Sequence, residues 1–130
     1  MPDFPPIYVD ESLSQVYLPE ALRARGLTVF KVTDQFQRGV KDPEWLPVAG
    51  HNGWVVLTKD KAIRKRPNEM TALVNSGVRA FVLAAGEITG PDQAALFVRI
   101  LPKMIHFVGA LPAPFLVKVG KDGTCEVLHP

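Results

Sequence analysis

The sequence predicts an α/β fold: a mainly parallel central sheet with helices on both faces, extended at one edge by a C-terminal β-hairpin. Three observations predict it. Strand-like and helix-like segments alternate up to about residue 108. Trp54 to Thr58 (WVVLT) is a continuous apolar run of strand length, the pattern of a parallel strand buried on both faces. The tail then changes character: Phe115 to Val119 and Thr124 to Leu128 flank Gly120-Lys121-Asp122-Gly123, a turn rich in residues that tolerate positive φ.

Ile7 to Asp10 (IYVD) is a short apolar, β-branched run ending in an acid. Pro19 to Arg25 (PEALRAR) carries good helix formers, with Pro19 where a first turn tolerates it and Gly26 as the stop signal. Leu27 to Val32 (LTVFKV) alternates as a strand should. Asp42 to His51 (DPEWLPVAGH) reads as a helix with Asp42 as N-cap, Pro43 at N1 and Glu44 at N2. After the WVVLT strand a short Lys/Arg-rich helix is expected to Arg66, where Pro67 breaks it. Asn68 to Ser76 resumes as helix and Gly77 closes it. Val78 to Ala84 (VRAFVLA) is the fourth strand. Thr89 caps the next helix, and Leu96, Phe97, Ile100, Leu101, Met104, Ile105 and Val108 form a stripe at helical spacing, with a kink or break expected at Pro102.

One domain over residues 1–130 is expected, since no repeat, low-complexity segment or Gly/Ser-rich linker divides the chain. Fifteen basic against thirteen acidic side chains leave a net charge of +2, too weak a global field to argue for nucleic acid or membrane, so local clustering must decide. The single cysteine, Cys125, excludes a disulfide framework and a cysteine-rich zinc module and makes a reducing cytoplasm the expected compartment. The acid at Asp3 and the lack of a basic n-region argue against a secretory signal. Arg99, Pro102, Lys103, Pro112 and Pro114 interrupt the most apolar stretch, so no membrane is expected.

In an open parallel sheet, ligands bind outside the carboxyl ends of the strands. Asp10 ends the first strand, Asp60 follows the third, and Asp42 with Glu44 opens the helix after the second, so all are expected at one edge. Gathered carboxylates repel one another and raise each other's pKa unless a cation neutralises them. An oxygen-only set favours Mg²⁺ or Mn²⁺ over zinc. Lys59, Lys61, Arg64, Lys65 and Arg66 lie within eight positions that hold one acid, Asp60. Metal-holding carboxylates beside a basic strip are the parts that phosphodiester hydrolysis requires, the strip holding the backbone on either side of the cut.

Each feature also has a plainer reading. Asp10, Asp42 and Asp60 are residue types that cap helices, Glu44 suits the positive end of a helix dipole, and Glu11 suits a solvated surface. Thr58 either bonds an acid or ends a strand. A Lys/Arg run is often just a solvated helix face. Trp45 and Trp54 read as core, and His51, His106 and His129 have no ligand spacing.

Asp10-Glu11 after the first strand, the PEALRARG helix, DPEW at Asp42 to Trp45, GWVVLTKDKAIRKRP from Gly53 to Pro67 and the NEMTAL helix after it together resemble the PIN-like domains related to VapC-type toxins. The likeness is strong over roughly the first 85 residues and loose beyond. It implies a single PIN-like domain acting as a Mg²⁺- or Mn²⁺-dependent ribonuclease, often the toxin half of a toxin–antitoxin pair. The partners expected are then an RNA substrate and a cognate antitoxin protein, with a homodimer left open. By position, Asp10 matches the first-strand acid, Asp42 or Glu44 the helix acid and Asp60 the acid of the T-x-D element. Glu11 and Thr58 would support these acids. A fourth acid is common in larger members, but Glu87 and Asp92 sit in no matching motif.

Two other classes compete. An incomplete metal site would leave a PIN-like module that only binds RNA or a protein. A signalling receiver domain shares the length and the early acidic pair, but it needs a hydroxyl residue after the fourth strand and a lysine after the fifth. Here those strands run into Ala84-Ala85-Gly86 and Val119-Gly120.

Overall fold

The computed structural model describes residues 4–59 and 67–129. In chain order the elements are β1 (Ile7–Val9), α1 (Tyr17–Arg23), β2 (Val29–Lys31), α2 (Val32–Gln35), α3 (Asp42–Asn52), β3 (Val55–Lys59), α4 (Pro67–Asn75), β4 (Arg79–Ala84), α5 (Gly90–Arg99), α6 (Leu101–Ala110), β5 (Phe115–Gly120) and β6 (Cys125–His129). The strands form one sheet in the order β2-β1-β3-β4-β5-β6. The first five are mutually parallel, and β6 runs antiparallel to β5 as the second arm of the hairpin. The expected α/β class and mainly parallel sheet are therefore present.

Side chains alternate across a strand, and the sheet accordingly separates two cores. Ile7, Val9, Val55, Leu57, Phe81 and Leu83 face Leu18 and Leu22 of α1, Leu96 and Phe97 of α5, and Leu101 and Met104 of α6. On the other face Tyr8, Val56, Ala80 and Val82 meet Val32 of α2, Trp45, Leu46 and Ala49 of α3, and Leu73 of α4. Helices thus cover both faces. The chain leaves β1 through α1 on one face and returns from β2 through α2 and α3 on the other, so β1 and β3 flank a crevice where the winding reverses.

Local differences from the sequence reading have physical causes. The second strand is shorter than Leu27 to Val32, because Val32 already begins α2. The Asp34 carboxylate accepts the Lys31 N–H at 3.0 Å and so stabilises the first turn of that helix. Lys41, not Asp42, is the N-cap of α3, which makes Asp42 the first helical residue and moves Glu44 to the third. Lys41 is extended, and its N–H donates back to Glu44 Oε1 at 3.4 Å. Near Pro102 the expected break occurs as Ile100 separates α5 from α6. Thr89 Oγ1 accepts the Asp92 N–H at 3.2 Å and caps α5. The expected Lys/Arg-rich helix before Pro67 lies outside the described residues. Among the described residues no helix is long and apolar enough to cross a membrane.

Candidate active site

Strand β1 delivers Asp10 to the crevice. Its backbone N–H continues the parallel ladder onto Leu57 of β3 at 3.0 Å, so the side chain emerges where the sheet ends. The carboxylate is held from two sides: Oδ1 accepts the Ser12 N–H at 2.8 Å, and Oδ2 accepts the hydroxyl of Thr58 in β3. Thr58 therefore bonds an acid and does not merely finish its strand, which runs one residue further to Lys59. Ser12 closes the arrangement by accepting the Lys59 N–H on its hydroxyl at 3.0 Å. Gln15 ties the loop to its surroundings, donating to Asp10 O at 2.9 Å and accepting the Val32 N–H at 2.8 Å.

Helix α3 brings the second acid. Asp42 does not spend its carboxylate on a backbone N–H of the helix; Oδ1 accepts the indole N–H of Trp45, one turn on, at 3.0 Å. Trp45 is buried and packs against Tyr8, with ring centroids 5.0 Å apart; Tyr8 also stacks on Trp54 at 5.6 Å and meets Phe36 edge-on at 5.8 Å. Tyr8 is fully buried, and its hydroxyl has no hydrogen-bond partner among the described residues.

The electrostatics show which acids converge. Burial pushes the Asp10 carboxyl above its ordinary range. The bonds from Thr58 and Ser12 act against this, and the charge of Asp42 adds to it. Burial also raises the Tyr8 phenol, followed by the charges of Asp10, Glu11 and Asp42. Asp10, Glu11 and Asp42 therefore all bear on the Tyr8 phenol, and Asp42 bears on Asp10 as well. Glu44 is not among these charges. Its carboxylate is turned to its own helix start and borders a shallow cavity of about 250 Å³ with Phe36, Arg38 and Val40. Glu11 accepts the Gly39 N–H at 3.1 Å and anchors the loop before α3 beside Asp10.

Lys59 is half-buried at the end of β3 next to Ser12. Asp60, Lys61, Arg64, Lys65 and Arg66 lie outside the described residues. Among the described residues, no group of three or more His, Cys, Asp or Glu side chains is arranged to hold a metal ion. The donor chemistry nonetheless suits a hard cation: Asp10 and Asp42 offer carboxylate oxygens, and a cation would relieve the burial and repulsion that raise Asp10. Glu87 and Asp92, the later acids, border a separate cavity of about 420 Å³ with Thr89 and Lys121.

Sequence reasoning missed Ser12, Gln15 and the indole of Trp45. The Asp-x-Ser spacing after a strand was a usable signal for Ser12, since a short polar residue there can return to the ladder. Nothing local marks Gln15, whose partners are set by the fold.

Residues 5–85 match the family described as PIN like domain. Across 97% of this chain and 94% of the relative, the chain is 26% identical to the protein named "Putative ribonuclease VapC45" from Mycobacterium tuberculosis (strain ATCC 25618 / H37Rv). No solved structure matches the chain.

Proposed function

Because the chain belongs to the PIN-like domain family, we propose that it is an endoribonuclease that hydrolyses RNA phosphodiester bonds with Mg²⁺ or Mn²⁺, and that it is the toxin component of a toxin–antitoxin pair. The observation that carries this reading is Asp10. It is a half-buried carboxylate at the reversal between β1 and β3, held by Thr58 and Ser12 and loaded by the charge of Asp42. The likeness to a VapC-named ribonuclease supports the choice of RNA and of a cognate antitoxin as partner. The reading places the protein in the cytoplasm.

Asp10 and Asp42 would hold the cation together with Asp60, which stands one residue beyond β3 in the sequence. When bound, the cation supplies an activated water and charge stabilisation for the leaving oxygen. The chain's own residues do the rest. Thr58 and Ser12 keep both oxygens of Asp10 in one orientation, and Glu11 secures the neighbouring loop through Gly39. Glu44 starts α3 and so sets where Asp42 stands. Lys59, with Lys61, Arg64, Lys65 and Arg66, would bind phosphates on either side of the cut.

A second reading, a PIN-like module that binds RNA or protein without cutting, is favoured by one observation: Glu44 is committed to its helix start, which leaves two described acids, Asp10 and Asp42, for the cation. Incubating the purified chain with RNA in Mn²⁺ and in excess chelator separates the two. Cleavage that needs Mn²⁺ is expected, and RNA binding without cleavage in either condition would support the second reading.

A further inference from the structure

We infer that Trp45 is a positioning residue for the acidic site, its indole N–H clamping one oxygen of Asp42 so that the other is presented to a cation beside Asp10. The inference rests on the metal-dependent reading above. Asp42 is the first residue of α3, past the N-cap Lys41, where a carboxylate favours the positive end of the helix and is usually left to solvent. Here Oδ1 takes the Trp45 indole at 3.0 Å instead, and nothing else among the described residues bonds this carboxylate. The donor is neutral, so it orients the oxygen without neutralising its charge. It is also rigid: Trp45 is 4% exposed, lies 5.0 Å from the ring of Tyr8 in the core, and has no freedom to follow a wandering carboxylate. Tyr8 and Asp10 project on the same side of β1, two residues apart, so the ring that supports Trp45 belongs to the strand that carries the first acid. The spacing between Asp10 and Asp42 is thus set through Tyr8 and Trp45, by packed rings and one hydrogen bond.

The partners that orient a ligand typically change metal affinity by about ten- to a hundredfold when removed. Mn²⁺ binding is measured by calorimetry, without RNA, on the wild type, Trp45→Phe, Asp42→Ala and the double variant. Trp45→Phe keeps an aromatic ring and deletes the donor, and it is expected to weaken Mn²⁺ binding about tenfold. In the Asp42→Ala background the same change should have an effect of no more than about twofold, because the two residues act as one unit. Equal Mn²⁺ affinity in wild type and Trp45→Phe, or equal losses in both backgrounds, overturns the inference. A wild type that binds no Mn²⁺ overturns the metal-dependent reading itself, and the inference with it. Should Trp45→Phe fail to fold, the indole N–H resonances of the wild type decide. Asp42 is exposed, so Asp42→Ala folds, and it should move the Trp45 indole signal while leaving that of Trp54 in place. Added Mg²⁺ should also move the Trp45 signal in the wild type. An indole signal indifferent to both contradicts the clamp.

Discussion

At the scale of single residues, the site is a conflict between charge and burial. Asp10 has its carboxyl raised first by burial and then by Asp42, despite the bonds from Thr58 and Ser12. A carboxyl whose folded pKa lies above its unfolded value favours the folded state below the unfolded pKa, and that advantage is lost as pH rises through the folded one. At neutral pH the ionised Asp10 therefore weighs against the fold. In metal-free buffer Asp10→Asn should melt at a higher temperature than the wild type at pH 7, and the gap should close as pH falls below about 4, the unfolded value. Thermal unfolding across that range checks it, and a variant less stable at pH 7 would contradict the balance described. Tyr8 carries the complementary test. Its hydroxyl is buried with no described partner, so Tyr8→Phe should leave stability within about 1 kcal/mol of the wild type or raise it, and urea unfolding measures this; a loss above about 2 kcal/mol would mean that the hydroxyl is bonded. Asp10 was legible from the sequence because an acid closing a β-branched run points to a strand end. The exchange of duties between Asp42 and Glu44 was not: Asp-Pro reads as N-cap and N1, and only the packed position of the Trp45 indole shows why Asp42 turns away from the helix.

Elements were legible where their pattern was long. Four apolar residues in a row, Trp54 to Leu57, identified β3 with Thr58 after them, and the stripe from Leu96 to Val108 identified α5 and α6 together with their break. Helix α2 went unread because four residues, VTDQ, are one turn with no periodicity to detect; Asp34, three residues after Lys31, was its only local mark. Helix α3 is seated by a contact that no pattern reveals. A Cβ on Gly50 would stand 1.6 Å from the Ser76 carbonyl oxygen, so the end of α3 lies directly on the backbone after α4. Backbone cannot step aside as a flexible side chain does. Gly50→Ala should therefore cost about 1–3 kcal/mol in denaturant unfolding, as overpacked sites do, while Mn²⁺ affinity in the folded fraction stays at the wild-type level. A neutral effect on stability would mean that α3 can shift, and the acid it carries would shift with it.

For the molecule as a whole, the order β2-β1-β3-β4-β5-β6 decides where chemistry can sit. With α1 on one face and α2 and α3 on the other, the ends of β1 and β3 are left open, and Asp10, Thr58 and Lys59 stand there. The alternating pattern made the sheet legible, but not the convergence of α3 on that opening, which follows from the packing of Trp45 and Leu46 against Tyr8 and Val56. A net charge of +2 cannot hold a polyanion by itself, so RNA binding should depend on the basic strip after β3. Replacing Arg64 and Lys65 together by Ala should weaken RNA binding and reduce the salt slope by about 1.4, at about 0.7 per phosphate contact on a single strand, with Mn²⁺ binding intact. An unchanged slope would reduce the strip to a solvated face.

Whether the acids beside β1 and β3 cut RNA is decided by cleavage of RNA in Mn²⁺ by the wild type and by Asp10→Asn at equal folded concentration. Metal-dependent cleavage is expected from the wild type and a loss on the order of 100-fold or more in the variant, since Asn keeps the shape of the side chain but removes the charge that would hold the cation. Cleavage by Asp10→Asn at the wild-type rate, with the same requirement for Mn²⁺, would contradict that role for the acids.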